Sequence, residues 1–320
     1  MRLRRRSLLC ATVSISALAL LVFAAGCRNE DARASAGGQG LVIKDPTGRK
    51  HRLAAHPQRI ATTASFVVEL LTELGRPPIL RPDVPAEEVA PAARAIDTWA
   101  VDHSVGPNLE QLVAANPDLV ILSPMFARYV PTIEERLGVP VVVLSVRRLE
   151  DLGPTATWLG ELVGDKEAGC SLAQCIEAQV SAIQPPSHEG TPRVYAIFGT
   201  PTDSLAFLPD SYLGSLVAHL DGELITAGAT PAMISQQFTP LSREFVVNEN
   251  PDVILIVHHG PPNQRFEDSM RHPAWSRLHA VRDGRVHVLS HRRYVTNPGP
   301  SAVAALQELR TLLYPGQAGT

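Results

Sequence analysis

The chain has 320 residues, 45% hydrophobic and 19% charged; that is enough apolar material for two ordinary cores and too much for a disordered chain. The formal net charge is −3, and residues 1–26 hold four arginines and no acid, so taking those four charges from −3 leaves −7 for the remainder. Such a body lacks the basic stripe of a nucleic-acid binder, and four cysteines cannot staple a chain of this length.

In chain order, Arg2 to Arg6 and the apolar run Leu8 to Ala25 have the layout of a secretory signal. The run ends Phe23-Ala24-Ala25-Gly26-Cys27, which resembles a bacterial lipoprotein cleavage box, with Ala24 where Leu is commoner. The resemblance implies that Cys27 is lipidated, and each buried methylene of the acyl chains then adds about 0.8 kcal/mol to membrane anchoring. The alternative is an uncleaved N-terminal membrane helix. Arg28 to Gly40 reads as a polar tether.

Leu41-Val42-Ile43 followed by Asp45-Pro46-Thr47-Gly48 predicts a hairpin, and Arg59 to Thr63 a short strand. Ser65 to Leu74 predicts a helix with Val67, Val68, Leu70, Leu71 and Leu74 as its apolar face and Gly75 as its stop. Arg76 to Ile96 reads as a Pro-rich loop. Glu150 to Ile183 is nearly all helical, with a break near Gly164-Asp165 and a stop at Pro185-Pro186; Cys170 and Cys175 within it match no zinc spacing and read as core thiols. Val139 to Leu144, Arg193 to Phe198 and Arg285 to Leu289 predict further strands, and Ser301 to Leu313 a closing helix.

An internal repeat is the most informative feature. Pro107-Asn108-Leu109-Glu110-Gln111-Leu112 leads to Asn116-Pro117-Asp118-Leu119-Val120-Ile121-Leu122, and Leu241-Ser242-Arg243-Glu244-Phe245-Val246 leads to Asn250-Pro251-Asp252-Val253-Ile254-Leu255-Ile256, at a constant offset of 134 residues. Each copy predicts a short helix, a Pro-bearing turn and an apolar strand of the kind buried on both faces of a parallel sheet. The fold class expected is α/β, with two similar Rossmann-like lobes, a long rigid helix joining them and a ligand cleft between them. The chain then divides into a signal peptide (1–26), a tether (27–40), an N-terminal lobe (41–149), a helical linker (150–184) and a C-terminal lobe (185–315).

No G-x-S-x-G elbow, phosphate loop, H-E-x-x-H or G-x-G-x-x-G occurs, so no catalytic residue and no resident metal are assigned. Ligands of open parallel sheets bind beyond the carboxyl ends of the strands. The residues there are Ser65, Phe66, His103, Met125, Phe126, Arg128, Arg147 and Arg148 in the first lobe. The second lobe adds Thr200 to Asp203, Tyr212, His258, His259, Arg292, Arg293 and Tyr294. The five arginines among them suit an anionic ligand. Other readings stand beside this one: packed or solvated histidines at 258–259, Met125-Phe126 as a core cap, and arginine pairs on solvated faces. Trp99 and Trp275 read as packing anchors.

These residues resemble the iron-complex and vitamin B12 class of substrate-binding lipoproteins of ABC transporters, from about Leu41 to Tyr314. The matching stretches include Asp45-Pro46-Thr47-Gly48-Arg49, Gln58 to Thr63 with Glu69-Leu70-Leu71, Val105 to Glu110, Asn116 to Ile121, Asp210-Ser211-Tyr212-Leu213-Gly214, Ala280 to Val286, and Asn297-Pro298-Gly299. The resemblance implies capture of a ligand between two lobes and delivery to a membrane permease driven by an ATPase. It also implies an acid on each lobe that docks the permease: Glu244 in the second, and Glu110 in the first, where Glu134 and Glu135 compete. The second lobe is similar to the haem-binding branch, but Asp210 stands where that branch has His, and Pro107-Asn108 where it has Met. The expected ligand is therefore a ferric siderophore-type chelate, with haem and then a corrinoid as alternatives; Met125, His103, His258 or Tyr212 would supply any soft or imidazole ligand. No cofactor beyond that bound ligand is expected, and the chain reads as a monomer outside the cytoplasm. A receptor for a naked metal ion and an extracytoplasmic enzyme or sensor on the same scaffold are the rivals.

Overall fold

Leu41–Lys44 (β1) and Lys50–Leu53 (β2) form the expected antiparallel hairpin, closed by the Asp45-Pro46-Thr47-Gly48 turn. The computed structural model describes residues 40–316 apart from 86–88, 103–104, 188–189, 201–203, 233–236, 259–271 and 297–298. The signal segment, Cys27, most of the tether, His103, Asp203 and His259 thus lie outside the described residues.

The first sheet comprises Ile60–Thr62 (β3), Leu80–Pro82 (β4), Asp97–Trp99 (β5), Leu119–Leu122 (β8) and Val141–Val143 (β9). Its order is β5-β4-β3-β8-β9, with every neighbour parallel. Two short strands, Val101–Asp102 (β6) and Gly106–Pro107 (β7), pair separately. Ser65–Glu73 (α1) follows β3 and ends at Gly75, whose φ of +69° suits glycine. Leu109–Ala115 (α2) and Val130–Leu137 (α3) complete this half. The expected loop over 76–96 therefore contains a sheet strand: β4 is three residues long and ends on Pro82, too short for periodicity to reveal.

The second sheet comprises Arg193–Gly199 (β10), Ser204–Phe207 (β11), Glu223–Leu224 (β12), Phe238–Pro240 (β13), Val253–His258 (β14) and Val286–Leu289 (β15). Its order is β13-β11-β10-β14-β15, with β12 also on β10. Strands β12, β14 and β15 join in parallel, and β11 runs antiparallel to both β10 and β13.

The repeat is structural. In the first half Ile60, Ala61 and Thr62 face Leu119, Val120 and Ile121; in the second Val194, Tyr195 and Ala196 face Val253, Ile254 and Leu255, so the 134-residue offset holds on both strands. Asn116 (φ 47°) and Asn250 (φ 46°) end the preceding helices in the left-handed conformation that Asn tolerates, and the following Pro blocks continuation. Asp118 then accepts from the amides of Gln58 (2.7 Å) and Arg59 (2.9 Å), and Asp252 from that of Arg193 (2.9 Å). Arg59 and Arg193, also 134 apart, donate to the last carbonyls of α2 and of Arg243–Glu249 (α7).

The connector is helical where expected but is not one long rigid helix. Leu152–Leu162 (α4) and Lys166–Ser181 (α5) break at Val163-Gly164-Asp165 and pack on each other. Gly160 and Gly169 meet at their crossing, where a Cβ on Gly160 would lie 2.4 Å from the Gly169 Cα. Cys170 and Cys175 on α5 are half-buried, outside the core proper, and are not joined by a disulfide.

One continuous core spans both halves. It takes Ile60, Leu119 and Ile121 from the first sheet, Val194, Val253 and Leu255 from the second, and α1, α4, Tyr212–His219 (α6) and Ala302–Leu313 (α9) between them. The alternate residues of the same strands face outward cores: Val120 and Leu122 with Trp99 and Leu112, and Ile254 and Ile256 with Trp275 and Val246. His279–Arg282 (α8) closes the latter. Trp99 and Trp275 are thus the packing anchors they read as. Among the described residues no helix is long and apolar enough to cross a membrane.

Candidate ligand-binding crevice

Every strand of the first sheet runs the same way, so its carboxyl ends share one edge. The order reverses at β3, where a parallel sheet leaves a crevice between β3 and β8. There the Ser123 amide donates to Thr63 Oγ1 (2.9 Å), tying the two strand exits together. On the second sheet the corresponding edge carries Thr200 after β10, His258 at the end of β14 and His291 after β15.

Contacts between the halves bring these edges together. Arg292, in the π-helical turn Arg292–Thr296 beyond β15, pairs with Glu69 on α1, which is 8% exposed. Arg148, beyond β9, donates to Asp210 (2.9 Å), just ahead of α6, and to Glu150 (3.1 Å). The Leu149 amide donates to Ser215 Oγ of α6 (2.8 Å). A buried pair such as Glu69–Arg292 is costly to break from one side, because the surviving charge keeps its desolvation penalty.

The residues expected at the ligand divide into two groups. Met125 (59% exposed), Arg128 and Arg147 are exposed on the first edge, and Ser65 is half-buried at the start of α1. Arg128 lies over the Tyr129 ring, 5.0 Å from its centroid. His258 is half-buried on the second edge. Phe66, Phe126, Tyr212 and Tyr294 are instead core residues, none more than 5% exposed, and this corrects their expected place at the ligand. Tyr294 donates to Ala305 O (3.1 Å) and Glu308 Oε2 (2.9 Å). Burial, then the nearby Glu69 carboxylate, pushes the Tyr212 phenol well above its ordinary range. Arg292, also expected at the ligand, pairs with Glu69 across the two halves.

Sequence reading missed Glu69, Phe198, Phe238 and His291. An acid inside Val67-Val68-Glu69-Leu70-Leu71 was the available signal, because a charge in an apolar helix face needs a buried partner. Phe198 stacks with Phe238 (centroids 4.9 Å apart, 17° between planes) and with His291 (5.9 Å, 16°). No local pattern announces that cluster, which joins three separate strand ends.

Glu110 and Glu244 are exposed in the first turns of α2 and α7, where an acid complements the helix dipole. Asn108 caps α2 by accepting from the Glu110 (3.0 Å) and Gln111 (3.1 Å) amides, and Ser242 caps α7. Glu134 accepts from the Val141 amide (3.4 Å), while Glu135 is exposed. Among the described residues no three His, Cys, Asp or Glu gather into a metal-binding group.

A family model described as periplasmic binding protein matches residues 60–292. The high-affinity heme uptake system protein IsdE of Staphylococcus aureus (strain Newman) is 22% identical over 224 residues, covering 68% of this chain and 75% of that protein. The crystal structure of S. aureus IsdE complexed with heme superposes with a TM-score of 0.67 at 20% identity, over 80% of this chain and 98% of that one. S. aureus SirA complexed with staphyloferrin B gives 0.68 at 17% identity, over 85% and 98%. The vitamin B12 binding protein BtuF of Vibrio cholerae gives 0.62 at 18% identity, over 82% and 99%.

Proposed function

Because the chain belongs to the periplasmic binding protein family, a family of receptors rather than enzymes, we propose that it captures a ferric siderophore-type chelate between its two lobes for an ABC importer. The convergence of both sets of strand ends carries this reading: Glu69–Arg292 and Arg148–Asp210 link them, beside exposed Met125, Arg128 and Arg147. Exposed arginines recognise the anionic oxygens of a chelate by charge-assisted hydrogen bonds. The permease and its ATPase are the proposed partners, docked by Glu110 and Glu244. Lipidated Cys27 anchors the monomer outside the cell membrane, and the lobes follow the division at 41–149, 150–184 and 185–315.

Haem is the second reading, favoured by the relative named for heme uptake and by the soft and imidazole donors Met125, His258 and His291 on opposing edges. Against it, Asp210 occupies the axial-histidine position and is engaged by Arg148.

Titrating the full chain in detergent with ferric siderophore chelates, haem and cobalamin, followed by absorption and tryptophan fluorescence, separates these readings. Saturable quenching by a ferric chelate with an unshifted haem Soret band is the expected result. A stoichiometric Soret shift without chelate binding transfers the assignment to haem, and no response to any ligand removes the receptor proposal. Glu110→Lys with Glu244→Lys should spare binding yet abolish uptake in cells; uptake at the wild-type rate contradicts docking through these acids.

A further inference from the structure

Phe, Trp and Tyr make up only 5% of the chain, yet three phenylalanines and a histidine meet at the carboxyl edge of the second sheet. Phe198 stacks with Phe238 (centroids 4.9 Å apart, 17° between planes) and with His291 (5.9 Å, 16°). Phe207 adds an edge contact to Phe198 (5.9 Å, 68°) and a tilted one to Phe238 (4.9 Å).

The strands explain why the rings gather there. β10 is the middle of the sheet, with β13 two strands away on one side and β15 two away on the other. Val194 and Ala196 of β10 belong to the core between the halves, so alternation turns Phe198 the same way. Leu289 of β15 belongs to that core too, and His291 follows it by two residues. Phe238 sits opposite Phe207, another member, in the β11–β13 register. Burial ends at this row. Val194 to Ile197 are buried and Phe207 is 1% exposed, whereas Phe198, Phe238 and His291 are each half-buried. Three near-parallel rings thus form a partly exposed wall where the space between the lobes opens.

A further flat ring lengthens such a row at its ends or meets ring edges in the T geometry, and each such pair is worth a factor of about three to ten in affinity. The electropositive ring edges also suit negative charge. The first-sheet edge adds exposed Arg128 and Arg147, donors for anionic oxygens. A catecholate combines these features, because its flat ring carries the two oxygens that bind iron and a ferric tris-catecholate is a trianion. A ferric trihydroxamate has neither the ring nor a net charge at its iron centre.

We propose that Phe198, Phe238 and His291 form a stacking subsite for an aromatic ring of the ligand, so that the preferred chelate is a ferric catecholate rather than a ferric hydroxamate. The subsite rests on the receptor reading above and deepens it. The full chain in detergent can be titrated with a ferric tris-catecholate and a ferric trihydroxamate, followed by tryptophan fluorescence. The wild type should bind the catecholate at least about tenfold more tightly, a comparison that needs no variant. Phe198→Leu and Phe238→Leu stay apolar but lose a flat ring; each should weaken the catecholate about threefold to tenfold and leave trihydroxamate binding unchanged. Phe198→Tyr, which keeps the ring, should bind as the wild type does.

Equal wild-type affinity for the two chelates, catecholate binding unmoved in both Leu variants, or parallel loss of both chelates would each overturn the subsite while leaving the receptor reading in place. A haem Soret shift lost in the Leu variants, with no catecholate bound, would overturn the catecholate assignment in favour of a porphyrin ring. Iron-free 2,3-dihydroxybenzoate, followed by saturation-transfer NMR, separates the two readings: if it contacts the wild type and is lost in the Leu variants while no ferric chelate binds, the subsite stands and the iron reading fails.

Discussion

Asp45 concentrates four donors on one buried carboxylate. Thr47 supplies its hydroxyl (2.6 Å) and amide (3.0 Å), Arg49 its amide (2.9 Å) and His51 its Nε2 (2.8 Å). Burial alone raises this carboxyl, but the bonds from Thr47, His51 and Arg49 outweigh it and hold Asp45 below the usual carboxylate range. A carboxyl depressed in the folded state stabilises the fold fully above its unfolded value of about 3.9, and that contribution is lost as pH falls through the folded value. Stability measured by urea unfolding should therefore decline below about pH 4 in the wild type, with a flatter acid limb in Asp45→Asn; superimposable profiles would contradict the assignment. The turn was legible from Asp45-Pro46-Thr47-Gly48 because all its partners are local. Side-chain direction at strand ends was less so. Phe66 and Tyr212 fall near the carboxyl edge in the chain, yet each stands four residues before a core leucine, Leu70 and Leu216, and that helical spacing turns both inward.

At the level of elements, the connector depends on the absence of two side chains. Gly160 and Gly169 let α4 and α5 touch backbone to backbone, and neither helix can retreat without disturbing the core between the halves. Gly160→Ala, although it raises helix propensity, should destabilise the fold by about 1–3 kcal/mol through this clash. Chemical denaturation measures the loss, and unchanged or increased stability would mean that the crossing relaxes freely. The buried strands were readable because their runs are apolar throughout, and the helix break because Gly164-Asp165 interrupts the periodicity. Where the two helical halves go after the break was not readable: packing against the core decides it. Strand β4 hid for a different reason, since three residues ending in proline carry no period.

The whole molecule is a duplication whose copies share more than the Asn-Pro-Asp turns. Arg59 and Arg193, Asn116 and Asn250, and Asp118 and Asp252 perform matched tasks at a common offset. The offset then changes: Val120 faces Val141 and Ile254 faces Val286, so the second copy is longer by 11 residues between these strands. Through-going packing and the ion pairs Glu69–Arg292 and Arg148–Asp210 join the halves, which suits a receptor whose crevice is largely preformed. The most direct test is amide hydrogen exchange of the full chain with and without a saturating ferric chelate. Protection should appear together at the strand exits of both halves, near residues 63–66, 123–128 and 145–148 and near 199–200, 258 and 290–292. Protection confined to one half, or remote from these exits, would contradict binding between the lobes.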